Sequence, residues 1–115
     1  MIYHIAYKKD WIESKKTGAY KTNSLDSDGF IHCSPLEKIE ESANNFFKDQ
    51  NDLLILCIDE ERVISNVIWE DLYDTNFKFP HIYGNLNVDA VLRTVDFEPD
   101  AKGKFNLPNE IKAHD

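Results

Sequence analysis

The sequence predicts an α+β fold, with a single domain over residues 1–115. Two segments, residues 2–7 and 52–58, are apolar on both faces, which is typical of buried strands. A third segment, residues 35–47, repeats apolar residues at helical spacing. Strands and helices do not alternate regularly, and the sequence has neither a Gly-x-Gly-x-x-Gly motif nor a P-loop, so a doubly wound fold is not expected.

The composition is that of a globular protein with an acidic surface. Apolar residues make up 42% of the chain, and 21 acidic and 13 basic residues give a formal net charge of -8. This charge argues against a nucleic-acid partner, because lysine and arginine must displace the counterions of the phosphates. The N-terminus becomes charged too early for a signal peptide, and no apolar run approaches the roughly 20 residues of a membrane span. We therefore expect a cytoplasmic protein without membrane contact.

The N-terminal third is predicted to contain a strand, a helix and a second short strand. Residues 2–7 form the first strand, with His4 near its middle. Residues 9–16 form a short amphipathic helix that ends before Gly18, and Tyr20 follows in a loop. A polar, turn-rich segment then leads to a short strand over residues 30–33.

The helix over residues 35–47 has a clear predicted start. Ser34 is placed as its N-cap, Pro35 as its first residue and Glu37 at the position of a capping box. His32 then lies at the end of a strand and beside a helix N-terminus, a location suited to an anionic ligand. The core-facing stripe of this helix comprises Leu36, Ile39, Ala43, Phe46 and Phe47.

The remaining elements are predicted from apolar runs and turn residues. Residues 52–58 form a central strand covered on both faces, and residues 67–73 form a strand in which Glu70 shares a face with Ile68 and Leu72. Residues 74–87 are expected to be mostly loop because they include Pro80 and Gly84. Residues 88–97 form the last strand, and residues 109–112 at most one helical turn.

Three histidines are candidates for a functional site. His4, His32 and His81 each adjoin apolar or aromatic residues, so each is expected to be partly buried and to need hydrogen-bond partners. Each alone is better explained as a structural residue, and only the three together favour a functional site. Their spacing matches no metal motif, so no metal site is predicted. His114 lies in the tail and is not included.

Glu70 and the segment around His81 supply the other candidate groups. Partial burial of Glu70 on an apolar strand face would raise its pKa toward general acid or base use, although an edge-strand salt bridge is an equal alternative. Phe79-Pro80-His81-Ile82-Tyr83-Gly84 is interpreted as a loop that presents His81 and Tyr83. The simpler alternative is a turn made by the proline and the glycine.

Several of these motifs, taken in order, resemble a known bacterial family. His4 on a first strand, Gly-Phe-Ile-His-Cys-Ser before a helix, Trp69-Glu70, and Phe-Pro-His-Ile-Tyr-Gly are similar to the family called domain of unknown function 952. The resemblance implies the ADP-ribosyltransferase-like fold, a small α+β domain with a split, strongly curved, mixed sheet around an NAD-binding cleft. It also implies that NAD or a related nucleotide binds as a substrate and that ADP-ribose is transferred.

The resemblance further implies roles for individual residues. Tyr3-His4-Ile5 is similar to the strand motif in which a histidine meets a ribose hydroxyl of NAD, and Glu70 would stabilise positive charge on the ribose. On this basis Glu70 and His32 are predicted as catalytic residues. The predicted NAD contacts are His4, Tyr20, Ser34, His81 and Tyr83.

Two alternative functions remain open at this point. One is a non-catalytic module that binds a nucleotide or another small molecule in the same pocket. The other is a relative of RNA 2′-phosphotransferases, which the stretch from Phe30 to Ser34 resembles. Phe30 stands in place of a histidine of that motif. Arg62 and Arg93 are the only arginines, so the chain has few groups that could bind a phosphate. The acceptor and the oligomeric state are not predicted.

Overall fold

The structure, a computed structural model, describes residues 1–114 and the side chains of residues 1–112, so the side chain of His114 lies outside the described part. In chain order the elements are β1 (Ile2–Tyr7), α1 (Lys8–Thr17), β2 (Ala19–Tyr20), α2 (Ser24–Ser27), β3 (Ile31–His32), α3 (Ile39–Phe46), β4 (Leu53–Ile58), β5 (Asn66–Glu70), β6 (Phe79–Tyr83), β7 (Leu86–Asn87), β8 (Val91–Phe97) and α4 (Asn109–His114). Single 3₁₀ turns cover Leu36–Lys38, Glu60–Arg62 and Val88–Ala90.

The strands form separate antiparallel sheets, which confirms an α+β protein. The order is β1-β4-β8 in the first sheet, β3-β6-β5 in the second, and β2-β7 in a two-stranded pair. The prediction of a mixed sheet is wrong for these strands, because each described pair is antiparallel. Side chains alternate in the same way in both kinds of sheet, so the sequence pattern of one strand does not record the direction of its neighbour.

β4 is the middle strand of the first sheet and is buried on both faces, as its unbroken apolar sequence predicts. All of its residues are buried, and alternate side chains enter different clusters. Leu54, Leu56 and Ile58 join a cluster between the two three-stranded sheets. Leu53, Ile55 and Cys57 pack on the opposite side, against α3 and α4. The second sheet contributes Ile31 and Ile82 to the first cluster, so one of its faces is committed to packing.

The N-terminal elements largely match the prediction. α1 ends at Thr17, and Gly18 takes the left-handed backbone conformation, with φ at 85°, that ends the helix. Tyr20 is not in a loop, however: it pairs with Leu86 in the short ladder between β2 and β7. Two-residue strands carry too little periodicity to be found in a sequence.

The predicted capping box at Ser34 does not form. Ser34 is held in a β-bridge with Tyr3, through hydrogen bonds of 2.9 and 2.7 Å between their backbones. The helix therefore begins with the 3₁₀ turn Leu36–Lys38, continues as α3, and has no side-chain cap bond at either start. The backbone pairing of Ser34 with Tyr3 thus prevents Ser34 from acting as the helix cap that the local sequence predicts. Phe46 of the predicted core stripe is also 79% exposed.

The largest error concerns residues 79–83, which form the middle strand of the second sheet and not a loop. Proline lacks a backbone N–H, and it is tolerated there because the ladder between β3 and β6 ends at the pair His32↔His81 and does not include Pro80. The Pro80 carbonyl still accepts a bond of 3.1 Å from the Cys33 N–H. Aromatic residues and isoleucine, which favour strands, outweigh the turn signal of proline and glycine in this segment.

Two other strands are shorter than predicted. β5 stops at Glu70, because Asp71 accepts hydrogen bonds from the backbone of Thr75 and Asn76 and closes a turn. Leu72 therefore does not share a strand face with Glu70. β8 begins at Val91, after a 3₁₀ turn. Among the helices that the structure describes, none is long and apolar enough to cross a membrane.

Candidate functional site

The second sheet places several predicted site residues on one face. His32 of β3 lies directly opposite His81 of β6, and their ring centroids are 5.7 Å apart. Tyr83 lies two residues beyond His81 and so projects from the same face. Glu70 of β5 is a diagonal neighbour of His81, whose direct partner is Ile68. The opposite face of the sheet is the one that packs in the core.

Glu70 is held by two donors on one of its oxygens. His81 Nδ1 donates to Oε2 over 2.7 Å, and the Tyr83 hydroxyl donates to the same atom. The bond from Tyr83, followed by that from His81, holds the pKa of Glu70 below its ordinary value. The prediction of a raised pKa is therefore wrong, because the two hydrogen bonds to the carboxylate outweigh its partial burial.

His81 is almost enclosed, with 3% of its side chain exposed. Because Nδ1 donates to a carboxylate, the neutral ring carries its lone pair on Nε2. No described group hydrogen-bonds to Nε2, and no fully buried polar side-chain atom in the described chain lacks a partner. Nε2 is therefore not fully buried and keeps a small solvent-accessible surface.

Phe30 is a site residue that the sequence analysis missed. Its ring is stacked on His81 at a centroid distance of 4.0 Å and an interplanar angle of 23°, and it also contacts His32 and Tyr83. The available signal was strand alternation, which places Phe30 and His32 on one face. We name the set of Phe30, His32, Glu70, His81 and Tyr83 the Glu70 cluster.

His32 is the exposed member of the Glu70 cluster. Its Nε2 lies 2.8 Å from Oδ2 of Asp28, and 44% of each side chain is exposed. Asp28, also missed from the sequence, therefore occupies the side of His32 where an anion was expected. The predicted α-helical start at Pro35 does not form either, since the first helical residues make the 3₁₀ turn Leu36–Lys38 and α3 follows at Ile39. Because Asp28 adjoins Nε2 of His32, this side of His32 does not favour a second anionic group.

His4 and Tyr20 form a separate buried pair. His4 Nδ1 donates to the His32 carbonyl over 2.6 Å, so Nε2 of the neutral ring accepts from the Tyr20 hydroxyl over 2.8 Å. Burial raises the pKa of Tyr20 and lowers the pKa of His4 to about 4. Ser34 lies elsewhere, with its Oγ 3.3 Å from that of Ser42.

The structure thus brings together only part of the predicted site. Glu70, His32, His81 and Tyr83 share one surface, whereas His4, Tyr20 and Ser34 lie outside it. Contact of these three residues with NAD stays a prediction, and both ring nitrogens of His4 already have protein partners.

We predict that acid weakens the fold through His4. The folded state favours the neutral ring, whereas the unfolded chain binds a proton near the ordinary pKa of 6.5, so stability is complete above that pH and is lost toward pH 4. The loss of unfolding free energy should be about 3 kcal/mol. Urea unfolding at a series of pH values would measure it.

The matched control is His4→Gln, which keeps a donor and an acceptor but does not titrate. Carboxylates with lowered pKa, such as Glu70, Asp71 and Asp100, also lose stabilisation in acid, and they do so in both proteins. The pH slope of the wild type between pH 6.5 and 4 should therefore exceed that of His4→Gln. Equal slopes would show that His4 is not responsible.

The surroundings of the Glu70 cluster limit its chemistry. Within the described residues, no group of three or more histidines, cysteines or carboxylates could hold a metal ion. Two surface concavities, one beside Met1 and residues 59–61 and one along α1, do not include the cluster. What the cluster offers is a fixed carboxylate, an open imidazole nitrogen and aromatic surface.

The fold and the site define a small α+β protein that carries a histidine–carboxylate cluster on the outer face of an antiparallel sheet. The chain belongs to the family described as "Protein of unknown function (DUF952)", whose model matches residues 5–94.

Solved structures of one bacterial protein are similar over nearly the whole chain. The crystal structure of protein CC0527 from Caulobacter crescentus is 31% identical, with a TM-score of 0.86 over 96% of this chain and 97% of that protein. The solution NMR structure of CC0527 is 32% identical, with a TM-score of 0.80 over 95% of this chain and 94% of that one. No curated protein sequence matches the chain.

Proposed function

We propose that the Glu70 cluster binds NAD or a related nucleotide and transfers its ADP-ribose. The observation that carries the proposal is the carboxylate of Glu70, which two donors hold at the surface of the sheet. Both donors meet Oε2, so Oε1 has no hydrogen-bond partner among the described residues. That oxygen can face a ligand without any rearrangement of the cluster.

The chemistry of NAD suits such a carboxylate. The nicotinamide ring of NAD is cationic, and breaking its bond to the ribose places positive charge on the sugar. A preorganised anion stabilises that charge as it develops. The lowered pKa of Glu70 keeps the group ionised at neutral pH, and the exposed ring of Tyr83 beside it offers aromatic surface to a flat cation.

The proposal includes the finer fold assignment, an ADP-ribosyltransferase-like domain. It is supported by the division of the strands into two separate three-stranded sheets, since that fold is built on a split sheet. The proposed site lies on the outer face of the second sheet. NAD would act there as a substrate, and its cationic end would lie at Glu70.

Phosphate transfer from RNA receives no support from the positions of the arginines. Arg62 pairs with Asp59 at 3.4 Å, and Arg93 of β8 donates to the Glu110 carbonyl at 3.3 Å. Neither belongs to the Glu70 cluster. A phosphate-binding site usually relies on such groups, so phosphate transfer from RNA is the less favoured function.

Calorimetric titration with NAD tests the proposal directly. We expect micromolar binding by the wild type and about fivefold weaker binding by Tyr83→Phe, which loses one donor that holds Glu70. Tyr73→Phe is the matched control, because Tyr73 is 63% exposed and lies outside the cluster; its affinity should stay within about twofold of the wild type.

Three results would contradict the proposal, each in a different part. No heat with NAD, ADP-ribose or nicotinamide would exclude the nucleotide site. Binding of NAD without release of nicotinamide over several hours would leave the non-catalytic module as the function. Equal affinities of Tyr83→Phe and Tyr73→Phe for NAD would show that the binding site does not include Glu70.

A further inference from the structure

His81 differs in one respect from His4, which is also buried. Both ring nitrogens of His4 have protein partners, which is what a structural histidine requires. His81 is at least as enclosed, yet only its Nδ1 is bonded, to Glu70. Its second nitrogen has no hydrogen-bond partner among the described residues and keeps a small solvent-accessible surface.

The bond to Glu70 gives this open nitrogen a defined chemical character. A carboxylate that accepts from Nδ1 selects the tautomer in which Nε2 carries the lone pair, and it stabilises the ring once Nε2 takes up a proton. The stacked ring of Phe30 and the edge contact with His32 hold the imidazole in place. A fixed imidazole with one accessible lone pair is equipped to accept a proton.

We propose that His81 is a general base that activates a hydroxyl acceptor, either water or an alcohol, for attack on NAD. This inference rests on the proposed function and extends it to the class of acceptor. Glu70 positions His81 through Oε2 and faces the ligand with Oε1. A neutral hydroxyl compound fits best, because Asp28 and Glu70 would repel an anionic acceptor.

The step conserves atoms and charge. The acceptor oxygen forms a bond to C1′ of the ribose while the bond from C1′ to the nicotinamide nitrogen breaks. The electron pair of the broken bond stays on that nitrogen, so nicotinamide leaves as a neutral molecule. His81 Nε2 takes the hydroxyl proton and later releases it to solvent. The positive charge thereby moves from the pyridinium ring to an imidazolium beside Glu70, where the carboxylate stabilises it.

The variant His81→Asn tests this role while sparing the contact with Glu70. Asparagine can still donate an amide N–H to the carboxylate, but it has no basic nitrogen. We expect NAD affinity within about threefold of the wild type and nicotinamide release about 100-fold slower. Added imidazole should restore part of the rate.

A second measurement does not depend on NAD. Two-dimensional NMR of the ¹⁵N-labelled imidazoles should show His81 with its proton on Nδ1. Finding the proton on Nε2 of the neutral ring would overturn the assignment of His81 as a base, whatever the ligand is.

The outcomes separate this inference from the proposed function. If NAD binds and His81→Asn releases nicotinamide at the wild-type rate, His81 is not the base, while the nucleotide site stands. If the wild type binds NAD but releases no nicotinamide, the base role is also overturned. If NAD does not bind at all, the proposed function fails, and the NMR measurement alone then decides whether His81 presents an open basic nitrogen.

Discussion

Replacing His4 with alanine is expected to lower the free energy of unfolding by about 3–5 kcal/mol. The side chain is 8% exposed, and its ring joins β1 to the His32 carbonyl and to the Tyr20 hydroxyl. Alanine would leave a cavity and would deprive both of these buried groups of their partner. Urea unfolding at pH 7.5, where His4 is neutral in the folded and unfolded states, would measure the loss.

His32→Ala is the matched control, because it removes an imidazole of the same size from the surface. Its side chain is 44% exposed and its partner Asp28 is equally accessible, so the loss should be about 1 kcal/mol or less. The His32 carbonyl, which His4 uses, is unaffected by the substitution. Similar losses for the two variants would contradict a structural role for His4.

Replacing Glu70 with glutamine is expected to reduce nicotinamide release by about 1,000-fold, which is more than the expected effect of His81→Asn. Glutamine keeps the size of the side chain and can still accept from Tyr83 and His81. It removes the negative charge, however, and that charge is assigned two tasks: stabilising the ribose and stabilising protonated His81. Release of nicotinamide under single-turnover conditions would measure the effect on chemistry apart from product release.

Glu60→Gln is the matched control for this substitution. Glu60 also accepts hydrogen bonds at the surface, from the indole N–H of Trp69 at 3.0 and 3.2 Å, but it lies outside the Glu70 cluster. Its rate should stay within about twofold of the wild type. A rate for Glu70→Gln that equals that of Glu60→Gln would remove Glu70 from the catalytic residues.

Much of the fold could be predicted because some signals are local and strong. β1 and β4 are apolar on both faces, and α1 ends at a glycine, so each was predicted within about two residues of its bounds. β6 was missed because Pro80 and Gly84 normally mark turns. The proline is accommodated only because the two-residue strand β3 ends beside it, and a strand that short has no recognisable pattern.

The candidate site was predicted in part for a similar reason. Residue types identified His32, Glu70, His81 and Tyr83 as capable of chemistry, since imidazole, carboxylate and phenol are unusual between apolar residues. Phe30 and Asp28 carry no such signal, because a phenylalanine and a surface aspartate are ordinary in any domain. The pKa of Glu70 was predicted in the wrong direction, as its sign depends on hydrogen bonds from residues far along the chain.

The sequence by itself determined the α+β class, the central strand, the first helix and the residue types available for chemistry. These properties follow from hydrophobic periodicity and turn chemistry, which act over a few neighbouring residues. Only the tertiary structure decided that β6 pairs with both β3 and β5 and that His81 is hydrogen-bonded to Glu70. It also decided that both ring nitrogens of His4 are hydrogen-bonded, to the His32 carbonyl and the Tyr20 hydroxyl. Strand pairing brings together residues that are distant in sequence, and the alternation within one strand does not specify which strand will be its neighbour.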